Sequence, residues 1–172
     1  MQIIRTTLAL AAALAAGTAF AQSQMSATAS LKGPDGANHG TITFTQTPAG
    51  VLISAELTGL PAGVHGFHMH ETGACEPDFG AAGGHYNPTN AEHGVMVTGG
   101  PHAGDMPNVH VPQTGDLSIE VLNTAVTLDE GAPDTLFDDD GTAVIVHAGP
   151  DDYKSQPSGD AGDRIACGVV EK

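Results

Sequence analysis

Histidine dominates the chemistry open to this chain. Six of its nine histidines fall between residues 63 and 105 (His65, His68, His70, His85, His93 and His102), Asp105 follows them, and His147 lies far downstream in an apolar run. Side chains on a strand alternate with period two, so His68 and His70 point to one side and can grip a single ion, while Phe67 and Met69 face the other way into packing. A lone His-x-His is a weak signal, since isolated strand histidines are commonly satisfied core residues. It gains strength from His147 at the end of another strand and from His85, His93, His102 and Asp105 in the loop between. A pure imidazole set suits copper or zinc; an imidazole set completed by one carboxylate suits tetrahedral zinc. Seven residues serve two ions if one imidazole is shared, and spacing alone does not say which.

The other candidates read more plainly. His65 precedes the ligand strand and reads as a buried histidine hydrogen-bonded to backbone, His39 as a solvent-facing turn residue beside Gly40, and His110 as an exposed strand residue. Asp138-Asp139-Asp140-Gly141 lacks the spaced ligands and closing Glu of an EF-hand loop and reads as a solvated turn. Zinc hydrolysis is disfavoured, because four protein ligands on zinc leave no position for an activated water.

Composition sets the frame. Arg5, the apolar run Leu8 to Ala16 and the small-x-small Ala19-Phe20-Ala21 form an export signal, expected over 1–21, with the mature domain at 22–172. That run is short for a transmembrane helix, and no later stretch is long enough to span a bilayer. The remaining residues, roughly 150, can bury a real core and favour one domain. The formal charge is -15, and losing Arg5 makes it -16, a balance that argues against nucleic acid or anionic membrane as partners. Cys75 and Cys167 are the only cysteines. In an oxidising compartment they read as one disulfide tying the start of the histidine-rich loop to the last strand, with a free or metal-bound pair as the alternative. Closing so long a loop is worth roughly 4 kcal/mol.

The elements that must hold these residues are strands. Met25, Ala27, Ala29 and Leu31 alternate with polar residues, as do Ile42 and Phe44 within 40–47, and Val51, Ile53, Ala55 and Leu57 within 51–60. The second and third of these form a hairpin around Pro48-Ala49-Gly50. Residues 66–70, 108–111, 116–128, 142–148 and 164–170 read as further strands, separated by long polar excursions at 71–108 and 149–163. Unstructured stretches of that length in a small domain imply function or a clamp. The pattern is an antiparallel sandwich or barrel.

Several runs then resemble the copper/zinc superoxide dismutase family: Gly63-Val64-His65-Gly66-Phe67-His68-Met69-His70, Gly84-His85-Tyr86-Asn87-Pro88, His93-Gly94, His102-Ala103-Gly104-Asp105, and Gly162-Asp163-Arg164-Ile165-Ala166-Cys167-Gly168-Val169. The resemblance implies an all-β, eight-stranded antiparallel Greek-key barrel with a disulfide-tethered metal-binding loop. It implies His68, His70, His85 and His147 as copper ligands, and His85, His93, His102 and Asp105 as zinc ligands with His85 shared. It pairs Cys75 with Cys167, and makes Asp151 the carboxylate linking a copper histidine to a zinc histidine, with Asp152 its rival in register. The implied activity is dismutation of superoxide to oxygen and hydrogen peroxide by copper redox cycling, zinc organising the site. His85 handles a proton and Arg164 guides and holds the anion, a task for which a planar guanidinium is better suited than Lys. Lys154 is read as a solvent-facing residue that could add local positive potential. The periplasm is the expected compartment, and a homodimer is left open. The segment between Cys75 and His85 and the acidic 129–140 stretch depart from the animal pattern, which bears on the dimer surface and the channel rim. A copper/zinc buffering protein and a zinc-stabilised structural domain are the competing classes.

Overall fold

In a computed structural model that describes residues 24–172, the chain forms nine strands and one short 3-10 turn. The expected export signal, 1–21, lies outside the described residues. The strands are β1 (Ser26–Lys32), β2 (Asn38–Thr47), β3 (Gly50–Leu57), β4 (Gly63–His65), β5 (Phe67–His70), β6 (Val109–Val111), β7 (Leu117–Asn123), β8 (Ala143–His147) and β9 (Arg164–Val169), with the 3-10 turn at Phe79–Ala82. Among the described residues no helix is long and apolar enough to cross a membrane.

Period-two alternation places the core as the sequence predicts. Ala27, Ala29 and Leu31 on β1, Ile42 and Phe44 on β2, and Val51, Ile53, Ala55 and Leu57 on β3 all point inward and are buried. Met25 departs from that pattern: it precedes β1 and is about half exposed. β2 and β3 form the expected hairpin, paired from Gly40↔Leu57 to Thr47↔Gly50. β7 is shorter than predicted. Asn123 ends it, donating its side-chain amide to Ala103 O and accepting from Ala125 N–H, and Val126 and Leu128 reach the core from a loop instead.

The main sheet runs β5-β8-β9-β1-β2-β3-β7, with β4 and β6 in a separate pair. The Greek-key-like crossovers are present, but the seven-stranded sheet is an open half-barrel, where the resemblance implies a closed eight-stranded barrel. The sheet stays open at the edge of β5 away from β8. Met69 N–H donates to Gly104 O, and Met69 O accepts from Tyr86 N–H, so the long loop occupies the edge that a closing strand would need. Gly104 permits this approach, because a Cβ there would lie 2.3 Å from Met69 O.

Cys75 and Cys167 form the disulfide, across 92 residues with Cα atoms 5.9 Å apart. It ties the 71–108 loop to β9 and packs with Ala82, Ala143 and Ile145. Replacing both cysteines with Ala is expected to lower stability by about 2–5 kcal/mol in urea unfolding; an unchanged midpoint would show that the loop is held without the bridge.

Candidate metal centre

The two faces of β5 and β8 do different work. Phe67, Met69, Val144 and Val146 enter the main core. The opposite parity carries His68, paired with Ile145, His70, paired with Ala143, and then His147 at the end of β8. These residues lie outside the main core yet are buried, because the two long loops cover them: His68 is 0%, His70 1% and His147 4% exposed. Isolated bridges bring the first loop onto the same strand, His70 opposite His85 and His68 opposite Asp105.

Each ring is oriented by the hydrogen bond at its other nitrogen. His68 Nε2 donates to Asp151 Oδ2 at 2.9 Å, His70 Nδ1 to Gly83 O at 3.0 Å, and His147 Nδ1 to Gly162 O at 3.2 Å. Among the described residues, that leaves His68 Nδ1, His70 Nε2 and His147 Nε2, together with His85 Nε2, buried with no hydrogen-bond partner. Buried polar atoms without partners are rare in native proteins and call for an explanation. Here they converge: His68, His70, His85 and His147 each offer one atom to a group whose members lie within 4.8 Å of one another.

A second group joins His85, His93, His102 and Asp105. Asp105 Oδ1 lies 2.7 Å from His85 Nδ1, 3.1 Å from His93 Nδ1 and 3.3 Å from His102 Nδ1. For bonds of about 2.0 Å, tetrahedral ligand atoms stand roughly 3.3 Å apart, so this set suits zinc. The donor chemistry therefore fits copper in an all-imidazole set and zinc in a set of three imidazoles and a carboxylate. His85 belongs to both, through Nε2 and Nδ1.

Asp151, and not Asp152, links the two sets: its Oδ2 accepts from His68 and its Oδ1 accepts from His93 Nε2 at 3.0 Å. Burial alone would raise its pKa. Hydrogen bonds from His68, Tyr153 N–H and His93 outweigh that and bring it down to about 2. Asp105 is likewise held well below the usual carboxylate range, burial being outweighed by His85, Gly94 N–H and His93. Arg164 donates through Nη1 to Phe79 O and through Nη2 to Gly83 O, both at 2.6 Å. Gly83 O also accepts from His70, so one carbonyl fixes both a candidate ligand and the guanidinium. Burial lowers the Arg164 pKa and Asp78 opposes that shift; its charge in turn disfavours protonation of His70 and His147.

Of the remaining readings, His65 is buried, its Nδ1 against His147 O and its Nε2 against Pro61 O. His110 is exposed on β6. His39 is half-buried on β2 and not in a turn, its Nδ1 against Thr58 O. Asp138, Asp139 and Asp140 are exposed, as is Lys154. The sequence reading missed Asn108, whose side chain donates to Asp151 O and accepts from Asp151 N–H while its own N–H donates to Tyr153 Oη. It also missed Gly159, at φ +69, where a Cβ would stand 1.8 Å from Asp151 Oδ1 and 2.6 Å from His93 Nε2.

Two expectations follow for the metal-free protein. Burial lowers the pKa of His68 to about 4, of His147 to about 3 and of His70 to about 2, from 6.5. The unfolded chain therefore takes up protons below pH 6.5 that the folded chain refuses. This contribution to stability is fully present above 6.5 and is lost as pH falls toward the folded values. The Asp151 contribution is present above 3.8 and lost as pH falls through about 2. Thermal midpoints should drop steadily from pH 6.5 to 4, and a flat profile there would contradict the burial of neutral rings. Gly159→Ala should cost on the order of 2–3 kcal/mol by calorimetry, through overpacking against the carboxylate link; a neutral effect would mean that the loop relaxes without strain.

Comparison with known proteins agrees with this geometry. Residues 38–170 match the family described as "Copper/zinc superoxide dismutase (SODC)". The chain is 52% identical over 128 residues to superoxide dismutase [Cu-Zn] 1 of Aquifex aeolicus, covering 73% of this chain and 76% of that one. It is 44% identical over 149 residues to superoxide dismutase [Cu-Zn] of Caulobacter vibrioides, covering 85% and 86%. Among solved structures, a superoxide-dismutase-like protein from Bacillus subtilis superposes with a TM-score of 0.79 at 36% identity, over 83% of this chain and 96% of that chain. The chain belongs to the copper/zinc superoxide dismutase family, and its chemistry is the dismutation of superoxide with copper and zinc as cofactors.

Proposed function

We propose that this chain is an exported superoxide dismutase in which His68, His70, His85 and His147 hold copper, His85, His93, His102 and Asp105 hold zinc, and Arg164 receives the substrate anion. The observation that carries this reading is the position of His85, whose two ring nitrogens face two different donor sets. The reaction is two superoxide radicals and two protons giving one oxygen and one hydrogen peroxide. Copper, held by His68, His70, His85 and His147, would supply a one-electron acceptor and donor, and zinc, held by His85, His93, His102 and Asp105, would supply a redox-inert charge.

The protein supplies the rest. Arg164, held by Phe79 O and Gly83 O, keeps further N–H groups free to hydrogen-bond a small anion and to stabilise the more negative peroxide-like product. His85 Nε2, buried without a hydrogen-bond partner, is an atom at which a proton can be held, and Asp105 beside Nδ1 keeps the ring in place. Asp151 fixes the orientation of His68 and His93 together and strengthens them as donors. The net acidity of the chain opposes an anionic substrate, and Arg164 supplies a positive charge close to His70 and His147.

Export to a periplasm rests on the 1–21 segment and on a disulfide of the kind that persists in oxidising compartments. The family resemblance also raises a homodimer, which sedimentation of the mature protein would read as a doubled mass.

Activity should require copper: rapid dismutation with both metals, none with zinc alone or without metal. No activity at full occupancy of both sites would favour metal buffering instead. Arg164→Ala is expected to lower turnover roughly ten-fold or more at low ionic strength while copper affinity stays nearly constant; unchanged turnover would remove Arg164 from the mechanism.

A further inference from the structure

Gln156 sits in the polar loop, 63 residues from His93, yet its side-chain amide meets both backbone groups of that histidine. His93 N–H donates to Oε1 at 2.8 Å, and Nε2 donates to His93 O at 2.9 Å. Nε2 also donates to Lys154 O at 3.1 Å, which ties the amide to its own loop. A side chain here reproduces the paired bonds that a neighbouring strand would make. The ring of the same histidine is gripped by Asp151, from the same loop. The polar loop thus takes His93 twice, by ring and by backbone, while Gly94 N–H, one residue on, donates to Asp105 Oδ2.

Resting on the reading of His93 as a zinc ligand, we propose that Gln156 is a positioning residue for the zinc set. By fixing the His93 backbone it keeps Nδ1 aimed at the point shared with His85, His102 and Asp105. Copper should be far less sensitive, because His68, His70 and His147 lie on β5 and β8 and are oriented by Asp151, Gly83 O and Gly162 O, none of which Gln156 touches. Gln156 itself is exposed along its outer edge, so shortening it opens no cavity in the core.

The test uses the disulfide-intact, copper-and-zinc-loaded protein and compares wild type with Gln156→Ala and Gln156→Glu. Zinc and copper release to a chelator are timed separately, and the zinc site is also filled with cobalt(II) as a spectroscopic probe. Gln156→Ala should release zinc roughly ten-fold faster, with copper release within about two-fold of wild type. Gln156→Glu keeps the acceptor for His93 N–H but sets a carboxylate oxygen against His93 O and Lys154 O, and should release zinc at least as fast as Gln156→Ala; it also carries the test if the Ala variant does not fold. Unchanged zinc release, or equal acceleration of both metals, would overturn the proposal. A wild-type cobalt spectrum lacking the intensity of a tetrahedral site would overturn the zinc assignment itself, whatever the variants do.

Discussion

The constraint on which the structure depends is the desolvation of a cluster of imidazoles. Six rings and two carboxylates are packed together largely out of water, and burial lowers the pKa of His68, His70, His102 and His147 there. A neutral imidazole has one donor and one acceptor. The donors are satisfied by Asp151, Gly83 O and Gly162 O, so what remains is a set of aimed, unpartnered acceptor nitrogens. Such a set is costly without cations and specific for them, which makes folding and metal binding two parts of one equilibrium.

The fold meets this demand by giving the two faces of one strand pair to different tasks. The inward parity of β5 and β8 is ordinary apolar core; the outward parity is the metal face, roofed by two loops too polar to roof an apolar surface. Those loops are held by specific bonds more than by hydrophobic burial: backbone docking on the β5 edge, the disulfide, the carbonyl of Gly83 shared by His70 and Arg164, and Asp151 reaching across both sets. The open main sheet belongs to the same arrangement, since the loop that delivers His85 and Asp105 occupies the edge that closure would use.

What was legible in the sequence was whatever rests on local periodicity. The placement of His68 and His70 opposite Phe67 and Met69, the hairpin 40–57 and the burial of alternate residues on β1 to β3 all follow from period two. The overlong strand at 116–128 shows the limit: Val126 and Leu128 are apolar and buried, but Asn123 turns the chain before them. Contacts between distant loops left no local trace. Asn108 and Gln156 look like ordinary polar loop residues until the fold sets them against the backbones of Asp151 and His93. The choice of Asp151 over Asp152, and the identity of the shared ring, came from resemblance to a family, and spacing left both open. The geometry around Asp105 and Asp151 supplies the physical reason for each.

The central claim is that His85 joins two metal positions through its two nitrogens. Crystals of the oxidised protein loaded with copper and zinc, with anomalous scattering recorded at both metal edges, test it directly. The account predicts a copper peak bonded to His85 Nε2 within the His68, His70 and His147 set, and a zinc peak bonded to Nδ1 of the same ring beside Asp105. Two metals coordinated by separate histidines, with His85 bonded to only one of them, would contradict it.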